Sequence, residues 1–436
     1  MTAARGRSTV KRGAAYVSVL TALVGAAAGC SSSQPSAATT TVPVTSTTVQ
    51  PRVDDGILRI GVLLPSSGDG AAIGESARAA IKVAVGLAND DGGVDGQPVQ
   101  LFVRDEGADS ATAAESLQQL LDDQVDVIIG PASSNTAVVL APTVVAAGVA
   151  ACSPSASTLA LDDFPDNHLF FRTIPSDSLQ AEAMAKVIEQ TGETSASIAY
   201  VDDGYGRPFQ EKLQAALRQR GITVSDVVGY AVDDDAFTTE ASRLVTPHGG
   251  AIALIGDEDA GSRMLGALAQ AIGDGPRDVV VNDSLRQPWS LSLLASVKDG
   301  ERSHIVGVSQ SVLTQDPDLL RLVTAEDPAA TGLFAAQAYD CANLFMLAAQ
   351  QANSTQPAVL ASVIPDVSTG GSRCLTFVQC KELLEDNRNI NYEGPDGALA
   401  IGSNGDPESG VFDQFAFDSG GRDVTTNTIS VSYAGS

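Results

Sequence analysis

Two clusters of hydroxyl side chains carry the clearest chemical signal in this 436-residue sequence. Ser133, Ser134 and Thr136 follow the apolar run VDVII and open a helical pattern. Ser155, Ser157 and Thr158, with Ala156 among them, do the same one strand–helix unit later. Hydroxyls and unpaired backbone N–H groups at a helix start suit an anion. Two such loops on neighbouring strands can hold one carboxylate without lysine or arginine. Serine and threonine suit ordinary helix capping equally well, so spacing alone leaves both roles open.

A hydrolytic centre would need a base and an oxyanion hole beside these hydroxyls. No G-x-S-x-G turn and no H-E-x-x-H segment occurs, nor a Walker sequence, nor a G-x-G-x-x-G after a strand. His168, His248 and His304 are scattered, and no C-x-x-C or Cys/His metal spacing is present. The residues point to a binding protein rather than an enzyme, with no cofactor and no metal.

The elements that must position the hydroxyl loops follow a regular rhythm. Residues 57–64 (ILRIGVLL) read as a strand ending in a Pro-Ser-Ser-Gly turn, and residues 74–89 carry apolar positions at helical spacing. Strands at 99–103, 125–129 and 148–152 alternate with helices at 108–121 and 135–147. The rhythm restarts near Asp177, which can cap a helix running to Gln190. Strands at 196–201, 222–230, 251–255 and 278–281 then alternate with helices at 207–220, 237–245 and 261–272, and a strand at 304–308 closes the set. A long apolar helix spans 331–352, and short strands follow at 399–401, 411–417 and 428–433. Alternation of this kind predicts an α/β fold of two similar lobes, each a parallel sheet with helices on both faces.

The ends and the composition bound the setting. Arg5, Arg7, Lys11 and Arg12 precede an apolar run that closes on Ala27-Ala28-Gly29-Cys30. The run is too short to span a bilayer and reads as a signal peptide over residues 1–29. Its end resembles the bacterial lipobox, with Ala27 where leucine is usual, which implies lipidation of Cys30. Residues 30–56, rich in Ser, Thr and Pro, read as a flexible lipid-anchored linker. Removing four signal-peptide cations from the formal charge of −27 leaves −31 on the mature chain, which argues against nucleic acid and anionic lipid as partners. Cys374 and Cys380, six residues apart, could close a small loop. Cys152 and Cys341 lie in apolar segments and read as buried small hydrophobes.

The order of segments resembles the type I periplasmic binding proteins, specifically the branched-chain amino-acid group that serves ABC transporters. The resemblance runs through IGVLLPSSGDGAAIGESARAA, Ile129-Gly130 with Ser133-Ser134, Cys152-Ser153-Pro154-Ser155-Ala156-Ser157, FFRTIPSD at 170–177, YVDDGYG at 200–206, Ala338-Tyr339-Asp340, and the Cys374–Cys380, NYEG and NGDP segments. It implies two Rossmann-like lobes joined by a three-strand hinge, one from 57–175 and 310–405, the other from 176–309 and 406–436. It further implies a Cys374–Cys380 disulfide and a small ligand, an amino acid, captured between closing lobes and delivered to an ABC permease. The membrane is then met only through the lipid anchor, at the extracytoplasmic face. By the same resemblance, Ser133 or Ser134, the Ser155–Ala156 backbone and the Ser157 hydroxyl take the ligand carboxylate, Tyr205 covers it, and Asp283 takes its ammonium. Two departures are informative. Ile73 stands where the family often has an aromatic, and the loop GDED places Asp257 either toward the cleft or as a cap of the following helix. A sensor or scaffold of the same fold, or a binder of a small amide, is the alternative.

Overall fold

Apolar runs alternating with amphipathic helices fold into two sheets. The computed structural model describes Arg52 and residues 54–433, apart from 69, 235, 247–248, 258, 274–275 and 287–303. The expected signal peptide, Cys30, most of the linker and His248 lie outside the described residues.

The first sheet holds β1 (Arg59–Leu64), β2 (Gln100–Asp105), β3 (Val127–Ile129), β4 (Ala150–Ser153) and β5 (Phe170–Arg172) in the order β2-β1-β3-β4-β5. All its pairings are parallel. Helices α1 (Ala71–Asp90), α2 (Ser110–Asp122) and α3 (Ser134–Ala146) supply the crossovers. Both faces are covered, so β1 after Arg59, β3, and β4 up to Ser153 are continuous apolar runs rather than alternating ones. Caps set the helix starts. Asp109 accepts the N–H groups of Ala111 and Thr112, each at 3.0 Å, at the start of α2.

The second sheet runs β15-β14-β10-β9-β8-β6-β7. Its strands are β6 (Ser195–Val201), β7 (Thr223–Tyr230), β8 (Ala251–Ile255), β9 (Val279–Val281), β10 (Ile305–Gln310), β14 (Ser409–Phe417) and β15 (Asp423–Ser432). Helices α4 (Asp177–Gln190), α5 (Gly206–Gln219), α6 (Thr238–Val245) and α7 (Ala260–Ile272) pack on it. β6 to β10 are parallel, whereas β14 and β15 are antiparallel, a departure from the parallel sheet expected. The reason is topological. β10 leaves this sheet at Gln310, and the chain returns beside it, Gln310 facing Phe412, so β14 must run the other way.

Between those two strands the chain rejoins the first sheet. Helix Ala335–Ala352 is buried from Ala335 to Ala349 and shares one core with β1, β3, β4 and α1. An apolar helix without a polar face is the pattern of a fully enclosed one. Helices Pro317–Glu326, Pro357–Val367 and Phe377–Glu385 surround it, with a small sheet of β11 (Ser372–Cys374), β12 (Ile390–Gly394) and β13 (Gly397–Ala398).

Two glycines show how the lobes repeat one construction. A Cβ on Gly74 would lie 1.7 Å from the Pro65 carbonyl oxygen, and one on Gly206 would lie 2.0 Å from that of Val201. In each lobe the helix after the first strand approaches the strand end too closely for any side chain.

Cys374 and Cys380 are disulfide-bonded, with Cα atoms 5.2 Å apart. Cys152 and Cys341, read from sequence as buried small hydrophobes with no pairing assigned, are bonded to each other, Cα to Cα 5.7 Å. Both are buried, as expected, but the bond fastens β4 to the enclosed helix across 189 residues.

Candidate functional site

The loops leaving the carboxyl ends of β3, β4, β6, β8 and β9 line a cavity of about 850 Å³. Ser134, Asn135, Ser157 and Thr158 form one wall, and Asp203, Tyr205, Asp257 and Asp283 the other. Ser157 and Asp283 also border an adjoining chamber of about 430 Å³ walled by Ile73, Ile174, Val312, Leu333 and Phe334. The two spaces meet at Ser157 and Asp283, and beyond its apolar wall the smaller one is lined by Arg286, Asp413 and Asp423.

On the first wall, Ser133 caps α3, its Oγ accepting the Thr136 N–H at 3.3 Å. The N–H groups of Ala132 and Ser133 donate to the buried carboxylate of Glu106, at 2.7 and 3.0 Å. Ser134 stands in the first helical turn and reaches the cavity. One unit on, buried Ser153 donates to the Pro131 carbonyl at 2.6 Å and accepts the N–H groups of Ala156 and Ser155 at 3.0 and 3.4 Å. The Ser155 hydroxyl donates to the Ala132 carbonyl at 2.8 Å. The Ser155 and Ala156 amides expected to meet a ligand carboxylate are therefore engaged by Ser153, and the two loops are stitched together. The Ser157 carbonyl accepts the Asp177 N–H at 3.0 Å.

On the second wall, Asp203 Oδ1 accepts the N–H groups of Tyr205 and Gly206 at 2.9 and 2.8 Å, anchoring the start of α5. Asp257 Oδ1 does the same for Ala260 and Gly261 at 2.7 and 3.2 Å, so it both caps α7 and lines the cavity. Fully buried Asn282 clamps both N–H and C=O of Gly256 at 3.0 Å and donates to the Tyr205 hydroxyl at 2.9 Å. Tyr205 packs edge-on against Phe209. Asp283 accepts from the Gln180 side-chain amide at 3.0 Å, which also donates to the Val308 carbonyl at 2.8 Å.

Asp177 was expected to cap α4. Ser176 does so instead, accepting the Ser178 N–H at 3.1 Å, and Asp177 turns inward one residue later. Its carboxyl accepts from Gln310 at 3.0 Å and lines the cavity with Asp283. Burial, and then the Asp283 charge, push it up to about 7. Burial raises Asp283 as well. The sequence reading missed Glu106, Asp177, Gln180, Asn282 and Gln310 as members of this site. Only the acidic pair Asp105-Glu106 after β2 offered a local signal.

Behind the cavity, fully buried Arg172 forms a bidentate pair with Asp406, both contacts 2.6 Å, and reaches Asp162 at 2.7 Å. Its backbone N–H donates to the Gly405 carbonyl at 2.9 Å. Two of the chain's three passages between the sheets are thereby tied. Burial opposes the guanidinium charge, but Asp406 and Asp162 outweigh it and hold the group above its ordinary range.

Residues 57–368 match the family described as periplasmic binding protein. The chain is 27% identical to the substrate-binding protein BasB of the chemotactic signal transduction system of Halobacterium salinarum, over 83% of this chain and 87% of that one. It is 25% identical to a Leu/Ile/Val-binding protein homolog of Brucella melitensis, over 43% of this chain and 51% of that one. The leucine-binding protein LivK of Thermotoga maritima shares the fold, with a TM-score of 0.62 at 17% identity, over 86% of this chain and 99% of that one.

Proposed function

The chain belongs to the periplasmic binding protein family, and on that premise we propose that it captures a small ammonium-bearing ligand, of the amino-acid class, between two closing lobes. We take the lobes as 57–175 with 310–405, and 176–309 with 406–436. The observation that carries the reading is the meeting of Ser157 and Asp283, from opposite walls, where the larger cavity joins a chamber with an apolar wall. Asp283 meets the ammonium in a charge-assisted bond. The apolar wall of the smaller chamber takes an aliphatic side chain, and Ile73 in it suits one. Ser134, Ser157 and Tyr205 complete the polar shell. Ligand shifts the chain toward the closed form only by its differential affinity for that form. An ABC permease then reads the closed form outside the cytoplasm, where Cys30 tethers the protein by lipid.

A thermal-shift screen of the purified protein against amino acids and small amides tests this. Ligand at 100 times its Kd should add about 2.7 kcal/mol of stability. Asp283→Asn should then cost about 2–5 kcal/mol of binding by calorimetry. Wild-type affinity in that variant would refute the ammonium assignment.

A second reading is favoured by the near full-length similarity to a substrate-binding protein of a chemotactic system. The closed form would then be read by a signalling partner. Loss of labelled-ligand uptake on deletion of the gene supports transport, and intact uptake with lost taxis supports signalling.

A further inference from the structure

The sequence suggested that helix starts facing the cleft would bind a ligand carboxylate. In the structure the start after β4 is held by Ser153, and three others around the cleft, those of α3, α5 and α7, hold a carboxylate of the chain itself. Glu106 sits on the N–H groups of Ala132 and Ser133 at the start of α3. Asp203 occupies the start of α5 and Asp257 that of α7. Acids of the chain thus offset the positive ends of these three helices, while α1 and helix Ala335–Ala352, which reach the smaller chamber at Ile73 and Phe334, start without a side-chain cap.

Carboxylates exceed this need. Asp177, Asp203, Asp257 and Asp283 line the larger cavity, and no lysine, arginine or histidine is among the described residues that do. In the adjoining chamber Arg286 stands alone among cations and is already held by Asp413 and Asp423, at 2.8 and 2.9 Å. The two chambers therefore present six aspartates to one arginine, while the whole chain has 53 acids to 26 lysines and arginines. General acidity does not account for that excess. Asp203 and Asp257 cap through Oδ1, and their Oδ2 atoms accept no hydrogen bond among the described residues. The two are neighbours at adjacent strand ends. Tyr230, which donates to the Ile255 carbonyl, is raised by burial first and then by Asp257 and Asp203 together.

A separate observation lies beneath Asp283. Gln180 is fully buried, and its amide nitrogen donates to two acceptors, Asp283 and the Val308 carbonyl. Its Oε1 meets no donor among the described residues. Flipping the amide would set oxygen against two oxygens, so the orientation is fixed by its partners. An unpaired buried acceptor beneath Asp283 thus adds to the aspartates that line the cavity. No three acids lie close enough to hold a metal ion among the described residues, so this surplus calls for N–H groups.

We propose that the ligand of this cleft carries a net positive charge: a basic amino acid, or an amino-acid amide in which no free carboxylate offsets the ammonium. The inference rests on the ammonium-binding reading above and narrows it. A second positive group on the ligand finds Asp203 and Asp257 complementary, whereas a zwitterion leaves both without a charge partner.

Calorimetry of the full chain with L-leucine, L-leucinamide and L-lysine tests it at low salt. L-leucinamide or L-lysine should bind at least about tenfold more tightly than L-leucine. Binding by leucinamide alone identifies the amide form, and binding by lysine alone the basic side chain. Asp257→Asn retains the helix cap, because asparagine is as good a cap, but removes the charge. It should shrink the preference severalfold, as should added salt. L-leucine binding as tightly as both cationic probes would overturn the inference and leave the amino-acid reading intact. Binding of none of the three would overturn that reading as well.

Discussion

Asp177 shows how far one carboxylate depends on its surroundings. It faces Asp283 across the cavity floor, accepts from Gln310, and lies near Ser157 and Arg172. Its folded pKa of about 7 stands above its ordinary value of 3.8. The native state therefore holds a proton that the unfolded chain releases between those two values. Stability from this group is complete below about pH 4 and is lost as pH rises through about 7. Asp177→Asn removes the cost of ionisation, so it should raise the melting temperature at pH 8 more than at pH 5. Equal shifts at both pH values would contradict the assignment. Arg172 is the opposite case. It is buried but charged, because two aspartates and the Thr158 carbonyl surround it.

At the scale of elements, the bond between Cys152 and Cys341 is the main cross-link of the first lobe. It joins β4, whose continuation carries Ser155 and Ser157, to the enclosed helix Ala335–Ala352. Its ends are 189 residues apart, against 6 for Cys374–Cys380. Chain-entropy scaling makes the longer closure worth about 3 kcal/mol more. Urea unfolding of the two double cysteine-to-alanine variants should show that order, and equal losses would refute it. Peptide mapping without reductant should find both pairs linked. The anion-binding role read from the two serine loops changes at this scale too. Glu106 and Ser153 occupy backbone N–H groups that spacing alone left open.

For the whole molecule, the described residues contain no helix long and apolar enough to cross a membrane. Membership in this family places the cleft outside the cytoplasm. The proposed tether is then a single thioether-linked lipid at Cys30. Cys30→Ser should move the protein from the membrane fraction or leave the precursor uncleaved. Wild-type fractionation and migration would reject the anchor. Closure needs passages that flex while staying in register. The Arg172–Asp162–Asp406 cluster supplies the register by tying β5 to the segment at Gly405.

The alternation of strands and helices was legible because it is local. Period-2 and period-3.6 apolar patterns, glycine turns and caps each involve residues a few positions apart, and they suffice for two parallel-sheet lobes. Tyr205 and Asp283 were legible only by resemblance, and the structure brings both to one cavity. What tertiary structure alone decided depends on residues distant in sequence. Glu106 reaches Ser133 across 27 positions, and Gln310 reaches Asp177 across 133. Cys152 finds Cys341 because β4 packs under a helix from the far end of the chain. A helix start reads the same in sequence whether its N–H groups await a ligand or already hold a carboxylate. Only packing determines which acid arrives there.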